Sequence, residues 1–416
     1  PGDIRGFDVR NGRELWVFHT VPQAGEVGNE TWEDDSWEYT GNTNVWSIMS
    51  ADPDLGLVYL PIGTPTNDWY GGHRPGDNLF AESLVAIDAS TGRRVWHFQV
   101  VHHGLWDYDL PAAPTLVDIR VDGRRIPAVV QVTKQGFAFV FDRATGEPVW
   151  PIEERPVPPS TVPGERSSPT QPFPTKPPAF ERQGISADEL IDFSPELRAE
   201  AEEILARFDY GGLYHPPSER GTVSLPGWQG GANWYGAAAD PETGLLYVPS
   251  ATNPTNIQIV PGSPERGDLT WVRGRAEPPR GPQGLPLSKP PYARLTAIDL
   301  SEGELAWQIP LGDGPRQRII DMGLADPGPL GGGGFTGPLL IETMLFIGHT
   351  GPRDGGESRP ALLAIDKVNG DLIHTVELPA RPMGTPMTYL VDGQQHIVIG
   401  VGQGEQAGLV ALRLPR

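Results

Sequence analysis

Short apolar runs alternate with turns along the whole chain, and one pattern recurs: a strand ending in Asp, a few residues, a Gly, then a second strand carrying Trp four residues after the Gly. The copies are Asp8-Val-Arg-Asn-Gly12 with Trp16, Asp88-Ala-Ser-Thr-Gly92 with Trp96, Asp142-Arg-Ala-Thr-Gly146 with Trp150, and Asp299-Leu-Ser-Glu-Gly303 with Trp307. Asp366-Lys-Val-Asn-Gly370 is a fifth, with His374 in the Trp place. Asp52-Pro-Asp-Leu-Gly56 and Asp240-Pro-Glu-Thr-Gly244 share the turn but continue without Trp, and they read as another hairpin of the same unit. An Asp carboxylate can accept backbone N–H groups across such a bend, and Gly supplies a positive φ without a Cβ clash. A Trp on every second strand would be wasted on isolated hairpins, but sheets packed face to face in a ring would bury it. The pattern therefore predicts an all-β fold, a β-propeller of four-stranded antiparallel blades with five to six blades in view, read as one domain over residues 1–416.

Two stretches break the rhythm. An insertion over about 151–221 begins with a Pro-rich part, Pro156 to Pro178, which excludes helix and central strand and is expected to drape over the surface. Its second part, Ser186 to Arg207, places Leu190, Ile191, Phe193, Leu197, Ala201, Ile204 and Leu205 at helical spacing and predicts one or two short amphipathic helices. Pro261 to Pro291 and Gly331-Gly-Gly-Gly334 read as further loops.

Composition narrows the function classes. The 416 residues include 52 Gly and 46 Pro, yet aromatic content is 8% with 12 Trp, so this is a turn-rich folded chain and not a disordered one. With 32 basic and 53 acidic residues the formal net charge is −21, which argues against nucleic acid and anionic lipid as partners. The absence of cysteine excludes thiolate nucleophiles and sulfur-ligated metals. No stretch approaches the ~20 apolar residues of a membrane span. The start at Pro1-Gly2-Asp3, without methionine, reads as a fragment or processed form.

The most distinctive chemistry lies in His102-His103-Gly-Leu-Trp-Asp107-Tyr-Asp109-Leu-Pro, followed by Val132-Thr-Lys134-Gln-Gly136. Strand alternation would put Asp107 and Asp109 on one face, so spacing alone does not separate them as candidate bases. The same alternation sends His102 and His103 to opposite faces, against joint metal chelation. Together with Ile4-Arg-Gly-Phe-Asp8, Val45-Trp46-Ser-Ile-Met-Ser-Ala-Asp52 and Leu60-Pro-Ile-Gly63, these segments resemble the glucose dehydrogenase branch of the pyrroloquinoline quinone (PQQ) quinoproteins. The likeness spans nearly the whole chain and is strongest over residues 40 to 150.

That resemblance implies an eight-bladed propeller, incomplete here at its N-terminal side, which oxidises an alcohol, sugar or polyol by hydride transfer to PQQ. It implies Asp107 as the general base, Lys134 as the cation on the quinone oxygens, Trp46 as the stacking ring, and Asn233 and Trp234 at the pocket wall. It places Thr66 near both the cofactor and a divalent cation, Ca²⁺ or Mg²⁺, whose main ligands are expected upstream of residue 1. It further implies a quinone-type electron acceptor and a periplasmic setting, with any membrane attachment through a segment outside this chain. A competing class is the non-catalytic propeller scaffold of the outer-membrane assembly type, which has no use for Asp107, Lys134 and Trp46 together. An NAD-dependent reading fails for want of a glycine-rich strand–helix turn in a βαβ unit.

Overall fold

The Asp-turns join antiparallel neighbours, as their chemistry requires. In a computed structural model that describes residues 2–351 and 359–413, Asp88 Oδ1 accepts the backbone N–H groups of Ser90 and Thr91, each at 2.9 Å, between strands Ser83–Asp88 and Arg94–Gln99. The Asp299 turn likewise joins Ala293–Asp299 to Glu304–Pro310, with Ser301 N–H donating to Asp299 Oδ1 at 2.8 Å. The Asp52 and Asp240 turns link the first and second strands of their sheets, while the Asp88 and Asp299 turns, which lead to Trp96 and Trp307, link the third and fourth.

Six sheets follow one another in chain order as blades. The first is the pair Ile4–Phe7 and Glu14–Phe18. The second has four strands from Ser50–Asp52 to Arg94–Gln99, and the third has three, Thr115–Val121, Arg124–Val132 and Ala138–Asp142. Four-stranded sheets return from Ala238–Ala239 to Glu304–Pro310 and from Leu339–Leu340 to Leu372–Glu377. A three-stranded sheet, Pro382–Val391, Gln394–Val401 and Gly408–Arg413, comes last.

Apolar clusters fill the spaces between consecutive blades. Tyr59, Leu84 and Trp96 of the second meet Val129, Phe139 and Phe141 of the third, and Val130 and Val140 of the third meet Leu246 and Ile298 of the fourth. Each repeat Trp reaches across such a space to the turn of the next blade. Trp16 Nε1 donates to Ala89 O and Trp96 Nε1 to Arg143 O, both at 3.1 Å. A Cβ on Gly92 would fall 2.5 Å from the Trp16 ring and one on Gly146 2.6 Å from Trp96, so glycine is required there both for positive φ and for ring contact. Trp150 meets Gly303 and Trp307 meets Gly370 in the same way, whereas His374 lies exposed.

The insertion is only partly as expected. The helical prediction is met by Ala187–Glu189 and by Pro195–Leu205, the latter capped by Ser194 Oγ accepting Leu197 N–H at 3.2 Å. The Pro-rich part does not simply drape over the surface. Its residues Thr170–Pro174 pair with Ile152–Pro156, a two-stranded ribbon whose free edge tolerates Pro172 and Pro174. Gln171 is fully buried there, bonded to the backbone of His102, so the ribbon seals one side of the segment that carries the chemistry.

Candidate functional site

The segment around Asp107 is irregular rather than a strand, and this corrects the alternation argument. Two aromatic anchors shape it. Trp106 Nε1 donates to His215 O at 3.0 Å and Tyr108 Oη to Pro226 O at 2.6 Å, with both rings buried against Tyr214. Pinned on both sides, Asp107 takes a left-handed φ of 56°, a strained conformation for a residue with a side chain. The two carboxylates still converge, because the anchored rings alternate with them.

Lys134 follows the strand Arg124–Val132 in a turn closed by Gly136 N–H donating to Thr133 O at 3.0 Å. Its Nζ donates to Asp107 O at 2.7 Å, to Asp109 Oδ2 at 2.9 Å and to Asp107 Oδ1 at 3.2 Å, which uses all three ammonium hydrogens. The Lys134 side chain is 5% exposed, Asp107 17% and Asp109 13%. Thr64 N–H donates to Asp109 Oδ1 at 2.7 Å, and a side chain on neighbouring Gly63 would collide with that oxygen.

One ammonium faces two carboxylates, and the proton affinities divide accordingly. Burial raises Asp109, but Lys134 and the hydrogen bonds it accepts outweigh that and hold it below the usual carboxylate range. Burial pushes Asp107 up to about 8 against the pull of Lys134, and Asp109 adds to the rise. Burial lowers Lys134, but the two aspartates more than reverse it, so it stays charged. Asp107 is thus the group from which a proton comes and goes near neutrality.

Further ionisable groups lie behind this trio, and nothing in the sequence periodicity marked them. Glu82 is fully buried and pushed up to about 8 by burial, against the opposing field of Arg74. Thr64 Oγ1 donates to Glu82 Oε1 at 3.3 Å, while its other oxygen has no partner. Arg74, also buried, donates to Gly104 O at 2.6 Å, Asn78 Oδ1 at 2.8 Å and Asn67 O at 2.9 Å. The histidines go separate ways. His102 meets Gln99 and Glu154, and buried His103 meets Gly76 O and Glu165, each at 2.7 Å. They divide as expected, although the backbone there is a bend and not a strand.

The remaining candidates are distributed unevenly. Trp46 is 48% exposed, in a loop held beside the trio by Gly63 N–H donating to Asn44 O at 2.9 Å and by Ser47 Oγ donating to Pro111 O. Trp234 is 51% exposed, three residues beyond Gly231, whose N–H donates to Lys134 O at 2.8 Å. Asn233 spends its amide on the local turn, with Nδ2 donating to Gln229 O and Oδ1 accepting Trp234 N–H, both at 2.7 Å. Thr66 is exposed; its N–H donates to Gly41 O at 3.1 Å and its carbonyl accepts from His73 Nε2 at 2.9 Å. Among the described residues no group of three or more His, Asp or Glu side chains is arranged to hold a metal ion.

A planar quinone fits what is present. Two indoles keep large exposed faces on segments that touch the Lys134–Asp109 pair, and a fixed ammonium beside a high-affinity carboxylate suits a carbonyl that becomes negative on reduction. The comparisons agree. Residues 1–397 match the glucose/ethanol/alcohol dehydrogenase β-propeller domain of the PQQ family. The quinoprotein glucose dehydrogenase of Escherichia coli K12 is 33% identical over 96% of this chain and 52% of its own length. The quinate/shikimate dehydrogenase (quinone) of Acinetobacter baylyi is 32% identical over 98% and 52%, and the glycerol dehydrogenase large subunit of Gluconobacter oxydans 30% over 96% and 57%. The crystal structure of quinohemoprotein alcohol dehydrogenase from Comamonas testosteroni superposes with a TM-score of 0.64 over 96% of this chain and 52% of that one, at 23% identity, which supports the propeller fold. This chain spans about half the length of the curated relatives it matches. On these matches the chain belongs to the PQQ-dependent quinoprotein dehydrogenases, in their glucose dehydrogenase-like branch.

Proposed function

We propose that this chain supplies the catalytic propeller of a dehydrogenase that oxidises an alcohol, sugar or polyol. The observation that carries the reading is the trio Lys134, Asp107 and Asp109, in which one cation is shared by two buried carboxylates and the proton affinity of Asp107 is raised towards neutrality. PQQ, when bound, supplies the electrophilic carbonyl that accepts the hydride. Asp107 Oδ takes the hydroxyl proton of the substrate, and its proton affinity near neutrality suits a general base. Lys134 holds Asp107 in place and offers its charge to developing negative charge nearby. Asp109, fixed by Thr64 and Lys134, stays ionised and keeps Lys134 protonated.

Trp46 and Trp234 offer the flat apolar faces for the ring system, with Asn233 shaping the turn that presents Trp234. A Ca²⁺ or Mg²⁺ ion, as the family implies, would sit near Thr66 and polarise the carbonyl to be reduced. The electrons pass to a quinone, as the name of the Acinetobacter relative indicates for that enzyme. The periplasm is the compartment this family reading implies; among the described residues no helix is long and apolar enough to cross a membrane.

The test is turnover of a panel of alcohols, sugars and polyols by the full-length protein with PQQ, Ca²⁺ or Mg²⁺ and an artificial electron acceptor. Asp107→Asn should lower kcat by about 10³, the scale of a lost general base. Unchanged turnover in that variant removes the assignment, and a scaffold would show no turnover at all.

A further inference from the structure

Arg273 ends the short strand Trp271–Arg273, which pairs with Ile259–Pro261. Its guanidinium carbon lies 4.7 Å from the ring centre of Trp69 and 5.3 Å from that of Trp228, so two half-buried indoles hold it. Among the described residues none of its N–H groups has a hydrogen-bond or ion-pair partner. A guanidinium held at aromatic rings has lost much of its rotamer freedom, yet its fork of N–H donors remains open.

The chain neighbours of the two indoles and one hydrogen bond place this clamp at the rim of the catalytic trio. Trp228 sits between Pro226, whose carbonyl accepts from Tyr108, and Gly230, which packs on the Lys134 side chain. Trp69 follows Asp68, whose carboxyl is raised by burial and by Asp109 and lowered by Arg74, Lys134 and Arg273. Asn67 Nδ2 donates to Trp271 O at 3.3 Å, tying the Arg273 strand to that loop.

Charge decides what the open fork can hold. The protein carries a net −21, and the ionised carboxylate of Asp109 lies inside the site beside the carboxyl groups of Asp107 and Asp68, so an anion is held more favourably at the rim than in the interior. A pre-ordered cation at the rim holds a negative group away from those carboxylates while the hydroxyl to be oxidised reaches Asp107. We propose that Arg273 is a specificity-determining residue that binds a carboxylate of the substrate, making the preferred substrate a hydroxy acid with its carboxylate remote from the carbinol. This rests on the alcohol-oxidising reading above.

The experiment compares quinate, which carries a carboxylate, with the neutral cyclic polyol myo-inositol, using full-length holoenzyme. The wild type should favour quinate, and Arg273→Gln should raise KM for quinate by about tenfold to hundredfold, the scale of a lost charged bidentate contact, with kcat and the neutral polyol within about twofold. Arg273→Lys, which keeps the charge but loses the fork, should fall between. In the wild type, added salt should raise KM for quinate and leave the neutral substrate unmoved. Equal changes for both substrates in Arg273→Gln, or a wild-type preference for the neutral polyol, overturns the proposal. Calorimetry of cyclohexanecarboxylate binding to the PQQ-free protein separates the two readings. Binding weakened by Arg273→Gln supports the carboxylate site even where no alcohol is turned over, and binding unchanged by the substitution overturns it.

Discussion

Among the described residues are two buried lysine–aspartate sites that are alike in distance and opposite in consequence. Lys367 Nζ lies 2.7 Å from Asp240 Oδ2, and Asp240 also accepts Glu242 N–H at 3.0 Å and Thr243 Oγ1 at 2.9 Å. One cation meets one buried carboxylate whose oxygens are filled. Although burial raises Asp240, its bonds to Lys367 and the turn hold it below the usual range. That pair joins the turn of one blade to the turn of the next, where Tyr247 Oη also donates to Lys367 O at 2.9 Å. At Lys134 one cation meets two carboxylates, and Asp107 keeps an affinity for protons near neutrality. The difference between a staple and the proposed reaction centre is one extra buried carboxylate, since the second acid near Lys367, Glu242 at 4.0 Å, is exposed to solvent.

Substitutions can break this contrast. Lys134→Met should have the largest effect, since it leaves two buried carboxylates without a counter-charge. It is expected to cost about 3–5 kcal/mol of stability and to lower turnover at least about 100-fold, measured by denaturant unfolding and by rate. Asp240→Asn should cost about 2–3 kcal/mol and leave kcat of the folded fraction unchanged, so any loss of kcat there would erase the distinction.

Glu82→Gln sharpens it through pH. The folded protein holds the Glu82 proton up to about 8, whereas the unfolded chain releases it near the ordinary value of 4.5, so wild-type stability falls as pH rises through that window. Gln cannot ionise. The variant should match wild type below about pH 4.5 and exceed it by on the order of 2 kcal/mol at about pH 9 in thermal melts. A variant less stable than wild type at alkaline pH would refute the buried-acid description. The smallest effect expected is in the wild-type rate profile. Asp107 must be ionised to act as base, so kcat/KM should climb several-fold from neutral pH and level off above about 8. A flat profile would place the titrating group elsewhere.

The repeat turns and their glycines were legible because the backbone requirement is local: an Asp accepting across a bend and a Gly at positive φ leave a fixed spacing. Packing of the repeat Trp between blades followed from the same spacing, whereas its contact with the glycine of the next turn is visible only in the structure. Asp107 and Lys134 were found through a family likeness, and the structure brings them together. Strand alternation, which had been offered as the reason both aspartates would share a face, does not hold in this segment; buried Trp106 and Tyr108 achieve it through long-range hydrogen bonds. Thr66, implied by the same likeness, is exposed two residues beyond Thr64, whose N–H donates to Asp109.

By itself the sequence determined the repeating hairpins, the all-β architecture and the acidic, cysteine-free character, because each depends on residues close together in the chain or on composition alone. Only the tertiary structure decided which charges share a cavity. Glu82, Arg74 and Asp68 are set behind the trio, and Arg273 is clamped between Trp69 and Trp228, by segments far apart in sequence. The physical reason is that burial and charge balance, which set the proton affinity of Asp107, are sums over neighbours that no local pattern records.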